Sequence, residues 1–187
     1  PGRIVPATCD IVDIAGLVKG ASQGEGLGNQ FLGNIRETDA IIHVLRCFDN
    51  DNIVHVDGSV NPVRDKEIID AELQLKDLET VENRIKRVEK QAKVGGDKQA
   101  KLEYDVLSKY REVLLQGKSA RTVTFETEDE QNAAKSLFLL TTKPVLYVCN
   151  VDDTAAANGN PYVEAVREAI KDEEAELLII SAQTEAD

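Results

Sequence analysis

Four short, nearly continuous apolar segments rich in Val and Ile divide the chain. They cover residues 8–15, 40–48, 144–150 and 175–182 (TCDIVDIA, AIIHVLRCF, PVLYVCN and AELLIISA). Segments of this kind are typical of strands buried on both faces, as in a parallel sheet covered by helices. Helical patterns occupy residues 27–37, 128–140 and 161–171, the second behind a Thr127-x-x-Glu130 capping box. The order predicts an α/β fold with a mostly parallel sheet flanked by helices.

A long amphipathic segment separates the second and third predicted strands. Apolar residues recur every three or four positions from Ile68 to Ala92, and after Gly95-Gly96 the pattern resumes from Leu102 to Val113. Two long helices joined by a glycine turn form an antiparallel α-helical hairpin. The alternative is a pair of ordinary crossover helices of the sheet, which the length of the two helices disfavours.

Charge is distributed unevenly along the chain. Its 187 residues carry 22 basic and 34 acidic side chains, and the net −12 argues against nucleic-acid binding over the whole surface. Residues 84–101 nevertheless hold seven basic and two acidic side chains, a local +5 that leaves −17 on the remainder. Such a helix face can simply be solvated, or it can contact the backbone of folded RNA. It has no aromatic residue, which disfavours base stacking with a single strand. The candidate RNA or ribosome contacts are Arg84, Lys86, Arg87, Lys90, Lys93, Lys98 and Lys101.

Several classes of protein are disfavoured by the remaining composition. Cys9, Cys47 and Cys149 are far apart and odd in number, which predicts reduced structural thiols rather than disulfides or a zinc site. No segment has the roughly 18 apolar residues of a membrane span, so we expect a cytoplasmic protein without membrane contact. The sequence lacks Met and begins with Pro1, and we therefore expect a piece of a longer chain.

The residues after the first predicted strand carry the most informative chemistry. Asp13 at the strand end and Gly16 form the D-x-x-G arrangement of nucleotide-dependent switches, with Ile14 and Ala15 between them. In that arrangement the carboxylate holds Mg²⁺ through a water, and the glycine amide reaches the γ-phosphate. The glycines that follow, at positions 20, 24, 26 and 28, suit a loop that orders and disorders. A glycine-rich turn without an active site is the alternative interpretation.

Two other strand ends support nucleotide binding. Residues 150–153 (NVDD) stand in the place and frame of the base-reading N-K-x-D motif, with valine at the lysine position. Residues 181–182 (SA) end the fourth predicted strand, where such proteins place a loop whose backbone meets the base. Because ligands of parallel sheets bind at the carboxyl edge, we expect these segments to meet there. The predicted base contacts are Asn150, Val151, Asp153, Ser181 and Ala182.

A phosphate-binding loop is missing from the sequence. The one Gly-Lys-Ser, Gly117-Lys118-Ser119, has Glu112 where the first glycine belongs and follows a predicted helix rather than a strand. The glycines at positions 24, 26 and 28 also miss the G-x-G-x-x-G spacing of dinucleotide-binding proteins.

The segments DIAGLVKGASQGEGLGNQFLGNIRETDAI and HVLRCFDNDNIVHVDGSVNP, with the helical insertion, resemble the Obg-like ATPases of the YchF type, in the translation-factor class of P-loop NTPases. The resemblance covers essentially the whole chain. It implies that residues 1–64 and 119–187 are two parts of a nucleotide-binding (G) domain and that residues 65–118 are an inserted helical hairpin. It also implies a phosphate loop before Pro1 and a TGS domain after Asp187, so that the chain alone is expected to be inactive.

The resemblance implies a Mg²⁺-dependent triphosphatase that engages the ribosome. Leu17 stands where Ras-like enzymes place a water-orienting Gln, and the candidate of the family for that role matches His55. From the residues alone His55 is a lone loop histidine, whereas His43 is expected in the core. Family members usually have N-x-x-E at this motif and prefer ATP, whereas this chain has Asp153, the residue that GTPases use against guanine. The resemblance therefore favours ATP, and Asp153 keeps GTP open. The alternative function is a non-catalytic nucleotide switch, or an RNA- or protein-binding module that acts through the basic hairpin.

Overall fold

The computed structural model describes residues 38–49 and 59–182, together with residues 9 and 11. Three strands within these residues, β1 (Ile41–Arg46), β2 (Val145–Asn150) and β3 (Glu176–Ile180), form a parallel sheet in the order β1-β2-β3. Ile41 pairs with Val145, and Leu146 pairs with Glu176. Three of the four predicted strands are confirmed. The first predicted strand and the helix predicted over residues 27–37 lie outside the described residues, apart from positions 9 and 11.

Four α-helices within the described residues accompany the sheet, and each begins at a polar N-cap whose side chain accepts a backbone N–H. They are α1 (Pro62–Val94), α2 (Lys98–Leu115), α3 (Glu128–Lys135) and α4 (Pro161–Ile170), with the N-caps Asn61, Asp97, Thr127 and Asn160. The prediction that the third helix continues to residue 140 is wrong. The chain leaves α3 at Lys135, passes Phe138 with a left-handed φ of 50°, and enters a short 3₁₀ turn over Leu140–Thr142.

The predicted helical hairpin is present in α1 and α2. Gly95 and Gly96 join the helices with φ values of 86° and 95°, which glycine adopts without steric cost. Two ion pairs cross the hairpin, Arg84 to Glu103 at 2.6 Å and Arg111 to Glu82 at 3.4 Å. The helices share one apolar core with the segment around α3, formed by Val81, Val88, Val106, Leu107, Tyr110, Leu114, Ala133, Leu137 and Leu139.

A buried carboxylate joins α1 to the segment that leads into β2. Asp77 is fully buried and accepts hydrogen bonds from the backbone N–H groups of Leu140 (2.7 Å) and Thr141 (2.8 Å) and from the Thr141 hydroxyl (2.6 Å). The Thr141 hydroxyl oxygen in turn accepts from the backbone N–H of Ala120 at 2.8 Å. A polar network as well as apolar packing therefore holds α1 against the turn that leads into β2.

A second buried charge lies where α1 meets the sheet. The Lys66 ammonium group contacts Asp70 at 2.6 Å and Glu173 at 3.0 Å, and Glu173 also accepts the hydroxyl of Tyr147 at 2.8 Å. Burial disfavours the charged lysine, but the two carboxylates outweigh it and raise the pKa of Lys66 above its usual value. Lys66 therefore stays charged and links α1, β2 and the loop before β3.

The core residues of the sheet agree with most expectations from the sequence. His43, expected in the core, is only half-buried; it lies against Tyr147 with ring centroids 5.6 Å apart, and burial lowers the pKa of His43 below its usual value. Cys47 and Cys149 are buried and free, as predicted, and the pKa of Cys47 is raised by its hydrogen bond with Cys149 and by burial. Cys9 is also free, and its side chain is exposed. Among the described residues, no helix is long and apolar enough to cross a membrane.

Candidate functional site

The carboxyl ends of β2 and β3 bring together the polar residues predicted to bind the base. Asn150 is the last residue of β2, and its side-chain oxygen accepts the backbone N–H of Ala182 at 3.2 Å. The Ser181 hydroxyl donates to a carboxylate oxygen of Asp153 at 2.6 Å. Four of the five predicted base contacts thus form one connected group at this edge of the sheet, which we call the edge cluster.

The two neighbouring aspartates of the NVDD segment have different tasks. Asp152 caps a short 3₁₀ turn, because its carboxylate accepts the backbone N–H of Ala155 at 3.0 Å and the hydroxyl of Thr154 at 2.9 Å. Asp153 is exposed, and Ser181 fixes the orientation of its carboxylate. Asp152 is thus engaged by its own turn, whereas the carboxylate of Asp153 is held by Ser181 from the end of β3.

Val151 and Ala182 differ from what the motif alone suggests. The side chain of Val151 is 2% exposed and packs in the core under the sheet, so it has no surface with which to cover a base. Its backbone N–H donates to the carbonyl of Ile180 at 2.8 Å. The backbone N–H of Ala182 already donates to Asn150, so a base carbonyl would compete with that amide for it. Contacts from these two residues would come from the backbone of the loop.

Two hydrogen bonds join the start of α4 to the end of β1. The side-chain nitrogen of Asn160 donates to the carbonyl of Cys47 at 2.7 Å, while its oxygen caps α4 by accepting the N–H of Val163 at 3.0 Å. The Tyr162 hydroxyl donates to Asp49 at 2.7 Å, and this hydrogen bond raises the pKa of Tyr162. Sequence reasoning missed both residues, since an Asn-Pro pair signals a helix N-cap but not a second partner 113 positions away.

The other half of the predicted nucleotide site falls on residues that are not described. Asp13, Ile14, Ala15, Gly16 and His55 all lie outside the described residues. Their predicted roles, with Mg²⁺, the γ-phosphate and the attacking water, therefore stay predictions.

The Gly117-Lys118-Ser119 segment has no features of a phosphate site. It follows directly on α2, and the Ser119 hydroxyl accepts the side-chain amide of Gln74 at 3.1 Å. A phosphate loop joins a strand to a helix, so the structure agrees with its exclusion.

The basic residues of the hairpin are all exposed, and two of the seven are paired. Arg84 contacts Glu103 at 2.6 Å, and Lys93 contacts Glu89 at 2.5 Å, which raises the pKa of Lys93. The others make no ion pair with any residue that the structure describes. These unpaired cations are Lys86, Arg87, Lys90, Lys98 and Lys101. Much of the local positive charge is therefore not neutralised within the hairpin.

Comparison with known proteins shows which family this sequence resembles. A family model described as a 50S ribosome-binding GTPase matches residues 2–94. Over the whole chain, the sequence is 50% identical to the ribosome-binding ATPase YchF of Bacillus subtilis and 52% identical to that of Escherichia coli O157:H7. The chain belongs to the YchF family. It spans about half the length of the curated relatives it matches, at 51% of each.

The structure is also similar to that of a YchF protein. The solved structure of the Schizosaccharomyces pombe YchF GTPase superimposes with a TM-score of 0.75 at 35% identity, covering 92% of this chain and 47% of that one. The predicted α/β fold, a parallel sheet flanked by helices, is confirmed by this match and by the strand order. In a YchF-family chain of this fold, the edge cluster lies where parallel sheets bind ligands.

Proposed function

We propose that this chain is the nucleotide-binding part of a Mg²⁺-dependent nucleoside triphosphatase that hydrolyses ATP to ADP and phosphate and engages the ribosome. The edge cluster carries the proposal, because it places one oriented carboxylate and one amide at the carboxyl edge of a parallel sheet. The names of the relatives, ribosome-binding ATPase, support both parts of it. Ribosome engagement in turn implies the cytoplasmic location expected from the sequence.

The choice of base depends on Asp153. Guanine presents two adjacent donors to such a carboxylate, whereas adenine presents only its amino group. The names of the relatives favour ATP, and we propose ATP as the substrate with GTP as the competing nucleotide. The hydrogen bond from Ser181 supports this choice, because it already satisfies part of the hydrogen-bonding capacity of the carboxylate.

The described residues are consistent with a metal held mainly by the nucleotide. They contain no group of three or more His, Cys, Asp or Glu side chains that could hold an ion by themselves. Mg²⁺ in triphosphatases is bound by substrate phosphates, waters and one or two carboxylates, and Asp13 through a water is the proposed protein contact. When bound, the ion would neutralise negative charge on the phosphate oxygens.

Two residues are proposed to act on the γ-phosphate side. The amide of Gly16 would sense the γ-phosphate, and His55 would position the attacking water, because Leu17 has no polar group for that task.

Replacing His55 tests the catalytic part of the proposal. In the full-length protein, His55→Ala should lower the turnover of ATP by about 100-fold or more, with little change in nucleotide affinity. His43→Gln is the matched control and should leave turnover unchanged, since His43 is a half-buried residue of β1 that lies against Tyr147. Unchanged turnover of His55→Ala would contradict the catalytic role. If the unsubstituted protein binds ATP without hydrolysing it, the chain is a non-catalytic switch instead.

The ribosome contact is proposed to involve the exposed cations of the hairpin. Reversing the charges of Lys90, Lys93 and Lys98 to Glu should weaken co-sedimentation with ribosomes at moderate salt. A matched control reverses three exposed lysines outside the hairpin helices, Lys118, Lys135 and Lys171. Equal co-sedimentation of both triple variants and the unsubstituted protein would exclude the hairpin contact.

A further inference from the structure

Two grooves of different charge lie along α1. The first, which we call the basic cleft, has a volume of about 280 Å³ and runs between α1 and the end of α3. Its polar lining includes Lys76, Glu79, Thr80, Asn83, Arg84 and Arg87. The second has a volume of about 400 Å³ and lies between α1 and α2. Its charged lining consists of Glu82, Lys86, Glu89 and Arg111.

The charges of the two grooves do not match. The basic cleft has three cations against the single carboxylate of Glu79, whereas the second groove has two of each sign and is neutral. Arg111 in the second groove also pairs with Glu82 at 3.4 Å. By its lining residues, the basic cleft is therefore the more positive of the two grooves and the one that favours an anion.

The donors of the basic cleft lie on one face of a single helix. Positions 76, 80, 83, 84 and 87 are spaced by three and four residues, so their side chains project from the same side of α1. The amide of Asn83 adds an uncharged donor between the cations. Leu137, at 8% exposed, closes the bottom of the cleft with an apolar surface.

The three cations are not equally available. Arg84 is drawn toward α2 by Glu103 at 2.6 Å, and Lys76 contacts the exposed carboxylate of Glu79 at 3.1 Å. Arg87 makes no ion pair with a described residue. A guanidinium group can donate two parallel hydrogen bonds to one phosphate, which makes Arg87 the leading contact.

We propose that the basic cleft binds a backbone phosphate of folded RNA. None of the described residues that line the cleft is aromatic, so they offer phosphate and ribose contacts without base stacking. The contact of the hairpin with the ribosome, on which this inference rests, would then extend from the glycine turn along α1 to the end of α3. It adds Lys76 and Asn83 to the residues that the sequence suggested.

Salt dependence of RNA binding tests the cleft. The full-length protein is titrated into a fluorescently labelled RNA hairpin, and the binding constant is measured by anisotropy over a series of salt concentrations. Replacing Lys76 and Arg87 together with Gln should make the slope of log K against log salt shallower by about 1 for each lost phosphate contact. Arg87→Lys should retain most of the slope, because the charge is preserved.

The control is Arg111→Gln, which removes a cation of the same hairpin from the neutral groove and should leave the slope unchanged. Far-UV circular dichroism and the thermal midpoint of each variant report whether it is folded. The cleft is excluded if the double variant keeps the original slope, or if Arg111→Gln lowers it equally. Competition by a polyglutamate peptide as strong as that by unlabelled RNA would likewise overturn the proposal in favour of an acidic protein partner.

Failure of the basic cleft can be distinguished from failure of the proposed ribosome engagement. If the unsubstituted protein fails to co-sediment with ribosomes, the proposed ribosome engagement is wrong. If it does co-sediment while the double variant retains the full salt slope, only the basic cleft is wrong.

Discussion

Asp77 provides the sharpest test of how the hairpin is held to the sheet domain. Its carboxylate is fully buried and is the acceptor for two backbone N–H groups and one hydroxyl of the Leu140–Thr142 turn. Asp77→Ala removes this acceptor while leaving the donors of Leu140 and Thr141 buried at 0% and 2% exposure. In the native packing these donors have no contact with bulk water.

The size of the effect can be worked out from these contacts. A buried donor left without an acceptor costs about 1 to 3 kcal/mol. The Thr141 hydroxyl can rotate, whereas the two backbone N–H groups are fixed and dominate the cost, so we expect a loss of about 3 to 5 kcal/mol in the free energy of unfolding. That is a large fraction of the roughly 5 to 15 kcal/mol of a typical domain. Asp77→Asn keeps one acceptor oxygen and should lose less.

Urea unfolding of the full-length protein, followed by far-UV circular dichroism, measures this loss. Asp105→Ala on the exposed side of α2 is the matched control and should change the free energy of unfolding by less than about 0.5 kcal/mol. Hydrogen exchange at the amides of Leu140 and Thr141 gives a local measurement and should accelerate in Asp77→Ala. A loss below about 1 kcal/mol with unchanged exchange would refute the reasoning.

Two further predictions concern the sheet. Because burial lowers the pKa of His43 below 6.5, the unfolded chain takes up this proton first on acidification. Stability should therefore fall as the pH drops through 6.5, and a pH series of urea unfolding should show a flatter dependence for His43→Gln; equal slopes would contradict the prediction. Asn160→Ala should cost about 1 to 2 kcal/mol in the same assay, since it removes the cap of α4 and the hydrogen bond to Cys47. Asn160→Asp should recover about half of that loss, because it keeps the cap, and no recovery would show that the Cys47 contact dominates.

Much of the fold could be predicted because local patterns and tertiary contacts agree. The apolar segment at residues 144–150 becomes β2 over Val145–Asn150, and the Gly95-Gly96 break becomes the turn of the hairpin. The end of α3 could not be predicted in this way. Apolar residues continue at helical spacing to Leu140, but the backbone N–H of Leu140 donates to Asp77, 63 positions away, instead of continuing the helix.

The candidate site likewise has features that the sequence predicts and features that depend on tertiary contacts. The motif frame selected Asp153 over Asp152, and the structure gives the physical difference, since Asp152 caps its own turn while Ser181 orients Asp153. The burial of Val151 could not be predicted from the motif, because a valine after a strand can point either way. The second hydrogen bond of Asn160 depends on the approach of β1 to α4, which no local pattern encodes.

The central claim is that the edge cluster binds the base of a nucleotide, and calorimetric titration of the full-length protein tests it most directly. ATP and GTP are each titrated in the presence of Mg²⁺ against the unsubstituted protein, Asp153→Ala and Asp152→Ala. We predict tighter binding of ATP than of GTP, and a loss of about tenfold or more in ATP affinity for Asp153→Ala, equivalent to about 1.4 kcal/mol. Asp152→Ala should bind ATP nearly as well as the unsubstituted protein. Unchanged ATP affinity in Asp153→Ala would contradict the claim.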